Sequence, residues 1–481
     1  MIDTERTAKV LSLAGLALVA LLFAVWPVAH TISLRDLLLV LVLGVFAYLA
    51  VRARPTGWWH GLEWPLGLYV VLTLWLLVVA LLISPETAWS LDEIRGQWLK
   101  GLFAMLAGGL VALVFARAGR MTACLVIIVV VLLLHTLYVD AVAVKGLVGA
   151  WLDPDLRLGS LIRHTGIAPG AEGYNYFTLL RCCEWDIEML TAGPDKSNYL
   201  TNLLIYFLLA DIFIRSTYRR RLLPLGNGIL AFFLLLALFS FYVEAVRNGV
   251  LEIVLVMFVF ASLLIYHNRQ RLPGKLLLFG ALGLVLVPVL IGYVSYSTDP
   301  RWQSLRQTIP IALDTTTHKA WLDLNSPVPL LPSGEPVNRS NYMRIARLKG
   351  GMELVFDNPA GVGYGRNAFG HAVKQKYGVS SSHSHSGLVD MAIGAGIPGA
   401  LLWLAFLVGL GALAARGVAR RRDDASVLLL FVVTGFGARM VVDSIIRDHM
   451  LQMFLFLAAL LAVSVARNLS GACPTPVPAP A

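Results

Sequence analysis

The chain has 481 residues and a formal net charge of +10, with 58% of its residues hydrophobic and 14% charged. Its mean hydropathy is +0.73. This composition excludes a soluble globular domain and predicts an all-α polytopic membrane protein.

Apolar stretches long enough to cross a bilayer recur along the chain. We predict twelve spans, at about 10–29, 35–51, 62–83, 100–117, 121–142, 198–214, 224–243, 249–266, 275–296, 386–414, 425–442 and 449–466. The first is predicted to be a retained anchor because it ends in Trp26-Pro27 without a small-residue cleavage site.

Four regions follow from this count. Nine spans with short loops and a longer segment at 143–197 occupy residues 1–296, and a large loop fills 297–384. Three further spans lie within 385–468. The proline-rich tail 469–481 is predicted to be disordered.

Basic residues in the short loops predict the orientation. The loops rich in arginine or lysine are 52–54, 117–120, 215–221, 269–275 and 416–422. By the positive-inside rule they are cytoplasmic, and so are both termini. The segment 143–197, the tight turn at 244–248 and the loop 297–384 then face outward.

His385 lies where the long loop ends and an apolar segment begins. On a continuous helix, Ala392, Gly396 and Gly399 fall within about 40° of it, which predicts a stripe of small residues for close helix packing. An ionisable group at the mouth of such a bundle is a candidate functional residue. His383 is either a second active group or a bystander in the loop. No third ligand follows at metal-site spacing, so neither a metal nor a cofactor is expected.

The outward segments are rich in cations, which suggests an anionic ligand, and phosphate is the usual match for a guanidinium. The alternative is a loop that is solvated by its charges or that rests on anionic lipid headgroups.

Two arginines are better placed than the rest. Arg247 sits in a very short turn that holds it at the membrane surface, with an ion pair to Glu244 or Glu252 as the alternative role. Arg344 opens a segment predicted to be an amphipathic helix, although an arginine on such a helix is often simply solvated. The apolar side of that helix is formed by Leu348, Met352, Val355 and Phe356.

The order of these features resembles a known family. Arg247 in its short turn is followed by Arg344-x14-Pro359-x-Gly361-x-Gly363, and then by His385-Ser386-x9-Gly396-x2-Gly399. This order resembles the O-antigen ligase and polymerase family of bacterial inner-membrane glycosyltransferases, over roughly residues 240–400. Ser386 in place of the commoner Asn, Pro398 before the second glycine and Leu348 in place of a frequent Trp depart from the family pattern.

The resemblance implies a GT-C-like architecture and a metal-independent, inverting transfer on the periplasmic side of a Gram-negative inner membrane. The donor is a glycan on undecaprenyl diphosphate and the acceptor is lipid A–core, amid membrane lipids and without a nucleic-acid partner. His385 is implied as the general base, and Arg247 and Arg344 as the diphosphate clamp.

The remaining site expectations are secondary contacts and structural glycines. Substrate contacts are expected from His383, Arg339, Arg347, Lys196, Arg163 and Arg181, and structural roles from Gly396 and Gly399. Three alternatives stay open: an O-antigen polymerase, a pilin ligase that glycosylates a protein hydroxyl, and, from another class, a flippase for lipid-linked saccharides. The flippase is disfavoured because transporters place their charges near the bilayer midplane.

Overall fold

The computed structural model describes residues 2–53, 60–117, 119–152, 191, 193–244, 246–269, 304–323, 326–447 and 449–471, with scattered positions between 273 and 297. Over this part of the chain the structure is all-helical, and the extended contacts are two isolated bridges. The all-α prediction is therefore confirmed.

Long apolar helices form the bundle. In chain order they are α1 (Ile2–Val25), α2 (Ile32–Ala53), α3 (Glu63–Val78), α4 (Thr87–Glu93), α5 (Leu99–Arg117), α6 (Met121–Leu152), α7 (Pro194–Tyr218), α8 (Asn227–Glu244) and α9 (Arg247–Asn268). Within the described residues eleven helical segments are long and apolar enough to span a membrane, and they coincide with eleven of the twelve predicted spans. The remaining prediction, 275–296, lies mostly outside the described residues.

The rest of the described chain forms three helices within 304–377 and three further apolar helices after them. They are α10 (Leu305–Leu313), α11 (Arg339–Asp357), α12 (Ala368–Tyr377), α13 (Gly387–Arg421), α14 (Asp424–Val442) and α15 (His449–Leu469). We call the end of the bundle that bears α10, α11 and α12 the loop end. Two helices, α7 and α15, lie in the interior of the bundle, each with 94% of its apolar span buried.

Short π-helical turns extend two of the early spans. One, Val79–Ile83, continues α3, and the other, Ile94–Trp98, joins α4 to α5. The fourth apolar segment therefore begins at Thr87, thirteen residues before the predicted start at 100. Ser90 and Glu93 are buried polar residues in this extension, which explains why hydropathy alone missed it.

The predicted helix around Arg344 is present as α11 and begins five residues earlier, because Asn338 caps it by accepting from the backbone of Asn341. The apolar residues that predicted the helix lie on its less buried side, where Phe356 is 77% exposed. Its buried side is formed instead by Asn341, Tyr342, Met343, Ala346, Arg347, Gly350, Gly351 and Leu354. A Cβ at Gly350 would lie 2.6 Å from the Trp321 ring.

The expectation of a continuous helix from His385 through Gly399 is wrong. His385 lies before α13 with φ of +63°, and Gly396 interrupts α13 with φ of +71°. The stripe of small residues is therefore split between two helical halves.

A returning loop causes the break in α13. The amides of Val362 and Gly363 donate to the carbonyls of Ile393 (2.9 Å) and Gly394 (3.0 Å). On the other side of the break, the Ile397 amide donates to the Pro359 carbonyl at 2.9 Å. The loop thereby satisfies backbone groups that the interrupted helix leaves open.

Glycine is required on both sides of this junction. A Cβ at Gly396 would lie 2.4 Å from the carbonyl carbon of Ala360, and one at Gly361 would lie 2.6 Å from the Gly394 carbonyl oxygen. The Pro-x-Gly-x-Gly and Gly-x-x-Gly motifs thus form one joint, which fixes the large loop against the membrane helix that follows the histidine.

Candidate functional site

The stretch Ser382–Ser386 crosses the loop end immediately before α13, and hydrogen bonds hold its unusual backbone. The Ser384 amide donates to Asp390 Oδ1 at 3.0 Å, and the Ser386 amide donates to Ser384 Oγ at 3.1 Å. Ser386 Oγ caps α13 by accepting from the Val389 amide. These bonds keep His385 in a left-handed conformation, which few residues other than glycine adopt.

The connection between α14 and α15 also forms hydrogen bonds that stabilise Ser382–Ser386 and the start of α13. The Gly387 amide donates to the Asp443 carbonyl at 2.9 Å, and Ser444 Oγ donates to Asp390 Oδ2 at 2.6 Å. Asp390 is buried and joins two segments at once. Sequence reasoning missed this aspartate, although an acid one turn into a helix that follows a Ser cap is a visible signal.

Arg347 lies behind the histidine stretch and is 1% exposed. Its Nε donates to the Trp321 carbonyl at 3.1 Å, and its Nη1 donates to Ser382 Oγ and to the His383 carbonyl, both at 3.3 Å. Within the described residues its Nη2 has no hydrogen-bond partner. Burial lowers the pKa of Arg347, but a guanidinium stays charged at neutral pH.

Arg344 reaches from α11 to the first turn of α9. Its Nη1 donates to Asn248 Oδ1 at 2.5 Å, and Asn248 is buried. Asn248 directly follows Arg247, the first residue of α9. The structure therefore brings Arg344 to the turn that contains Arg247, whose own side chain lies outside the described part of the structure.

The two glutamates that could pair with Arg247 already accept bonds from other side chains. Glu244 accepts from Ser197 (2.6 Å), Asn198 (3.0 Å) and Thr201 (2.9 Å). Glu252 accepts from a second set of side chains, namely Asn202, Tyr206 and Arg439. Both carboxylates are buried, and neither depends on Arg247 for a partner.

The rings of His383 and His385 lie together, with their centroids 4.3 Å apart. Burial and, to a smaller extent, the positive charges of Arg344, Arg347 and Arg447 together lower the pKa of His385 to about 3. Burial, the neighbouring His385 and the same arginines lower the pKa of His383 to about 2. Both imidazoles are therefore neutral at neutral pH and can accept a proton.

Arg447 was not predicted from the sequence. It lies in the short connection between α14 and α15, where its Nε donates to the Arg366 carbonyl at 2.6 Å and its Nη2 to Asn367 Oδ1 at 3.1 Å. An arginine in a short turn at the loop end is the same signal that identified Arg247, so it could have been found.

The remaining residues predicted to contact substrate are Arg339, Lys196, Arg163 and Arg181. Arg339 begins α11, one and a half turns before Arg344, and its charge helps to lower the pKa of Arg347. Lys196, in the first turn of α7, pairs with Asp195 at 3.3 Å. Arg163 and Arg181 lie outside the described residues.

The assembled site combines neutral imidazoles with a group of guanidinium cations at one end of an apolar bundle. Such an arrangement can bind a doubly charged phosphate group at the bilayer surface and can accept a proton beside it.

Comparison with known proteins adds one finding. The family model described as O-antigen ligase matches residues 230–404. The matched range runs from α8 to the first half of α13 and includes the Arg247 turn, Arg344, the glycine joint and His385. A search of curated proteins found no match.

Proposed function

We propose that this chain belongs to the O-antigen ligase family, whose model matches residues 230–404, and that it is a ligase of lipopolysaccharide biosynthesis. It transfers a glycan from undecaprenyl diphosphate to a sugar hydroxyl of lipid A–core on the periplasmic face of the inner membrane. The observation that carries the proposal is the contact of Arg344 with Asn248, the residue that follows Arg247. The charge of the same Arg344 acts on His385.

The arginines act on the leaving group. Arg344 and Arg247 bind the diphosphate, and their charges oppose the negative charge that grows on its oxygen as the bond to the sugar breaks. Removal of one such donor typically costs about 3–4 kcal/mol of barrier. A diphosphate stabilised in this way leaves without a general acid.

His385 acts on the acceptor. The acceptor hydroxyl oxygen attacks the anomeric carbon as the carbon–oxygen bond to the diphosphate breaks, and its proton passes to the imidazole. A general base of this kind contributes about 10²–10⁴-fold. A single displacement of this type inverts the anomeric centre, and the guanidiniums supply the positive charge that a metal would otherwise provide.

Donor binding raises the basicity of His385. In the free protein its pKa is lowered to about 3, in part by arginine charge. A bound diphosphate offsets that charge and favours the protonated imidazole, so the base becomes stronger once the donor is in place.

Arg347 stabilises the backbone of the segment that carries His385. Its bond to the His383 carbonyl orients the histidine stretch, and within the described residues its Nη2 has no hydrogen-bond partner.

The test is transfer by the purified protein in detergent, given an undecaprenyl-diphosphate glycan and truncated lipid A–core. We expect a mass-shifted lipid A–core product from the wild type and none from His385→Ala, with equal folding of both. Longer lipid-linked glycans without this product would indicate a polymerase. An intact donor, with its translocation across proteoliposomes unaffected by His385→Ala, would indicate a flippase.

A further inference from the structure

A fully buried arginine in α14 joins several elements at the loop end. Arg439 Nη1 donates to Glu252 Oε2 and to Asn198 Oδ1, both at 3.1 Å. Its Nε donates to Asp443 Oδ2 at 3.3 Å, and its Nη2 donates to the backbone carbonyl of Asp195. One guanidinium therefore contacts α7, α9 and the end of its own helix at the same time.

One arm of this network fixes the start of α9. Glu252 lies five residues after Arg247 and is 0% exposed, as is Arg439. Besides Arg439 it accepts from Asn202 at 2.7 Å and from the Tyr206 hydroxyl. A Cβ at Gly249 would lie 2.1 Å from Asn198 Oδ1, so the first turn of α9 is pressed directly onto α7.

The other arm fixes the histidine stretch. The carboxylate of Asp443 accepts from Arg439, and its backbone carbonyl accepts from the amide of Gly387, two residues after His385. A Cβ at Gly387 would lie 3.1 Å from that carbonyl, so the histidine stretch has little freedom to shift against α14.

The two arms lead to the two halves of the proposed site. We propose that Arg439 is a positioning residue, which sets the distance between the turn of Arg247 and the stretch of His385. This inference rests on the proposed function, since it assigns the alignment of leaving-group clamp and base to a residue that touches neither substrate.

A contribution to folding stability alone does not account well for the buried hydrogen-bond network of Arg439. A buried ion pair can often be replaced by apolar residues of similar size without loss of stability, whereas removal of one partner leaves an uncompensated buried charge. What apolar residues cannot supply is the set of directed bonds that a planar guanidinium makes to several elements at once.

The experiment compares two replacements of the pair. Arg439→Met leaves Glu252 buried without its cation and is expected to destabilise the protein. The double variant Arg439→Met/Glu252→Met removes the fully buried pair and leaves only the partly exposed Asp443 without its cation, so it is expected to melt at a higher temperature than Arg439→Met in detergent. Its kcat for transfer to lipid A–core is nevertheless expected to fall by about 100-fold, the size of loss that misplacement of a reacting group by about 1 Å produces.

A conservative change provides the second variant, in case the double variant does not fold. Arg439→Lys keeps the charge opposite Glu252 but loses the bonds to several partners, so kcat is expected to fall at least about tenfold. The matched control is Arg215→Lys, which alters the Arg215–Asp211 pair (2.7 Å) in α7 near the opposite end of the bundle and should leave kcat unchanged.

The outcomes separate the two proposals. Wild-type kcat in folded Arg439→Met/Glu252→Met or in Arg439→Lys would overturn the positioning role while the proposed function stands. Absence of lipid A–core transfer by the wild type itself would overturn the proposed function first, before any variant is compared.

Discussion

Arg344 donates a hydrogen bond of 2.5 Å to Asn248, and this contact connects the loop helix α11 with the membrane helix that begins at Arg247. The two residues are far apart in the chain, yet one bond brings two arginines of the proposed clamp to the same turn. The alignment of the clamp should therefore depend on the neutral amide of Asn248.

Substitution of Asn248 tests this dependence. In Asn248→Ala, Arg344 loses an acceptor, and we expect kcat/KM for the donor to fall by about 10- to 100-fold, consistent with a bond to a charged group worth about 1.5–3 kcal/mol. Asn248→Asp should be worse, because its carboxylate would compete with the diphosphate for Arg344. Steady-state kinetics with varied donor measure both effects.

The matched control is Asn358→Ala, since Asn358 bonds its own helix at the far end of α11 and lies outside the proposed site. Equal losses in Asn358→Ala and Asn248→Ala, or a mild effect of Asn248→Asp, would contradict the role of Asn248.

The pH dependence of activity should reveal the lowered pKa of His385. The base works only when neutral, so activity falls as the pH drops through its pKa. In the free protein that pKa is about 3, so the acidic limb of kcat/KM should lie well below pH 6.5. The limb of kcat should lie at higher pH, because kcat reports the donor complex, in which the diphosphate offsets the arginine charge.

Arg447→Gln supplies the comparison for this profile, since it removes one of the positive charges that lower the pKa of His385. We expect the kcat/KM limb of that variant to move to higher pH, and an unmoved limb would argue against His385 as the titrating base.

Folding must be monitored at each pH, in parallel with activity. Because both histidine pKa values are lowered in the folded state, the unfolded state binds more protons as the pH falls below 6.5, and stability declines there.

Asp390 should matter through the histidine backbone and not through substrate. Each carboxylate oxygen accepts one bond, from the Ser384 amide and from the Ser444 hydroxyl. In Asp390→Asn one of these oxygens becomes a donor, so the free energy of unfolding should fall by about 1–3 kcal/mol. Thermal unfolding in detergent measures this loss.

Ser444→Ala removes only one of the two bonds to Asp390. The free energy of unfolding and kcat should therefore both fall less in Ser444→Ala than in Asp390→Asn. The reverse order of severity would show that Asp390 does not hold the stretch as described.

The close contacts of the glycine joint can be tested by comparison with Gly378, which has a similar φ but open space around it. Gly378→Ala meets nothing within 4 Å at φ of +73°, so it should cost only the strain of a left-handed residue, about 1–2 kcal/mol. Gly396→Ala has a similar φ and in addition collides with the backbone of Ala360. Its yield of folded protein, measured by size-exclusion chromatography, should be much lower, and equal yields would refute the joint.

Metal removal should leave transfer unchanged. The arginines supply the positive charge in the proposed mechanism, so EDTA treatment followed by assay in metal-free buffer should preserve kcat. Loss of activity that added Mg²⁺ or Mn²⁺ restores would refute the metal-independent mechanism.

The sequence determined the class of the protein, because apolar segments of span length have few other environments in which they are stable. It also singled out His385, Arg247 and Arg344 as candidate site residues, because ionisable groups at the ends of apolar segments stand out from their neighbours. The helix around Arg344 was visible from its apolar spacing, since that spacing is a local property of the chain.

Tertiary structure decided what joins these residues. The break at Gly396 depends on a loop that returns from Pro359–Gly363, and helical periodicity has no information about that loop. Arg439 was overlooked because an arginine near the end of a span looks like an interfacial anchor, whereas its partners Glu252 and Asn198 come from distant helices. Local patterns follow from the covalent chain, but the pairing of buried charges requires helices to be placed side by side.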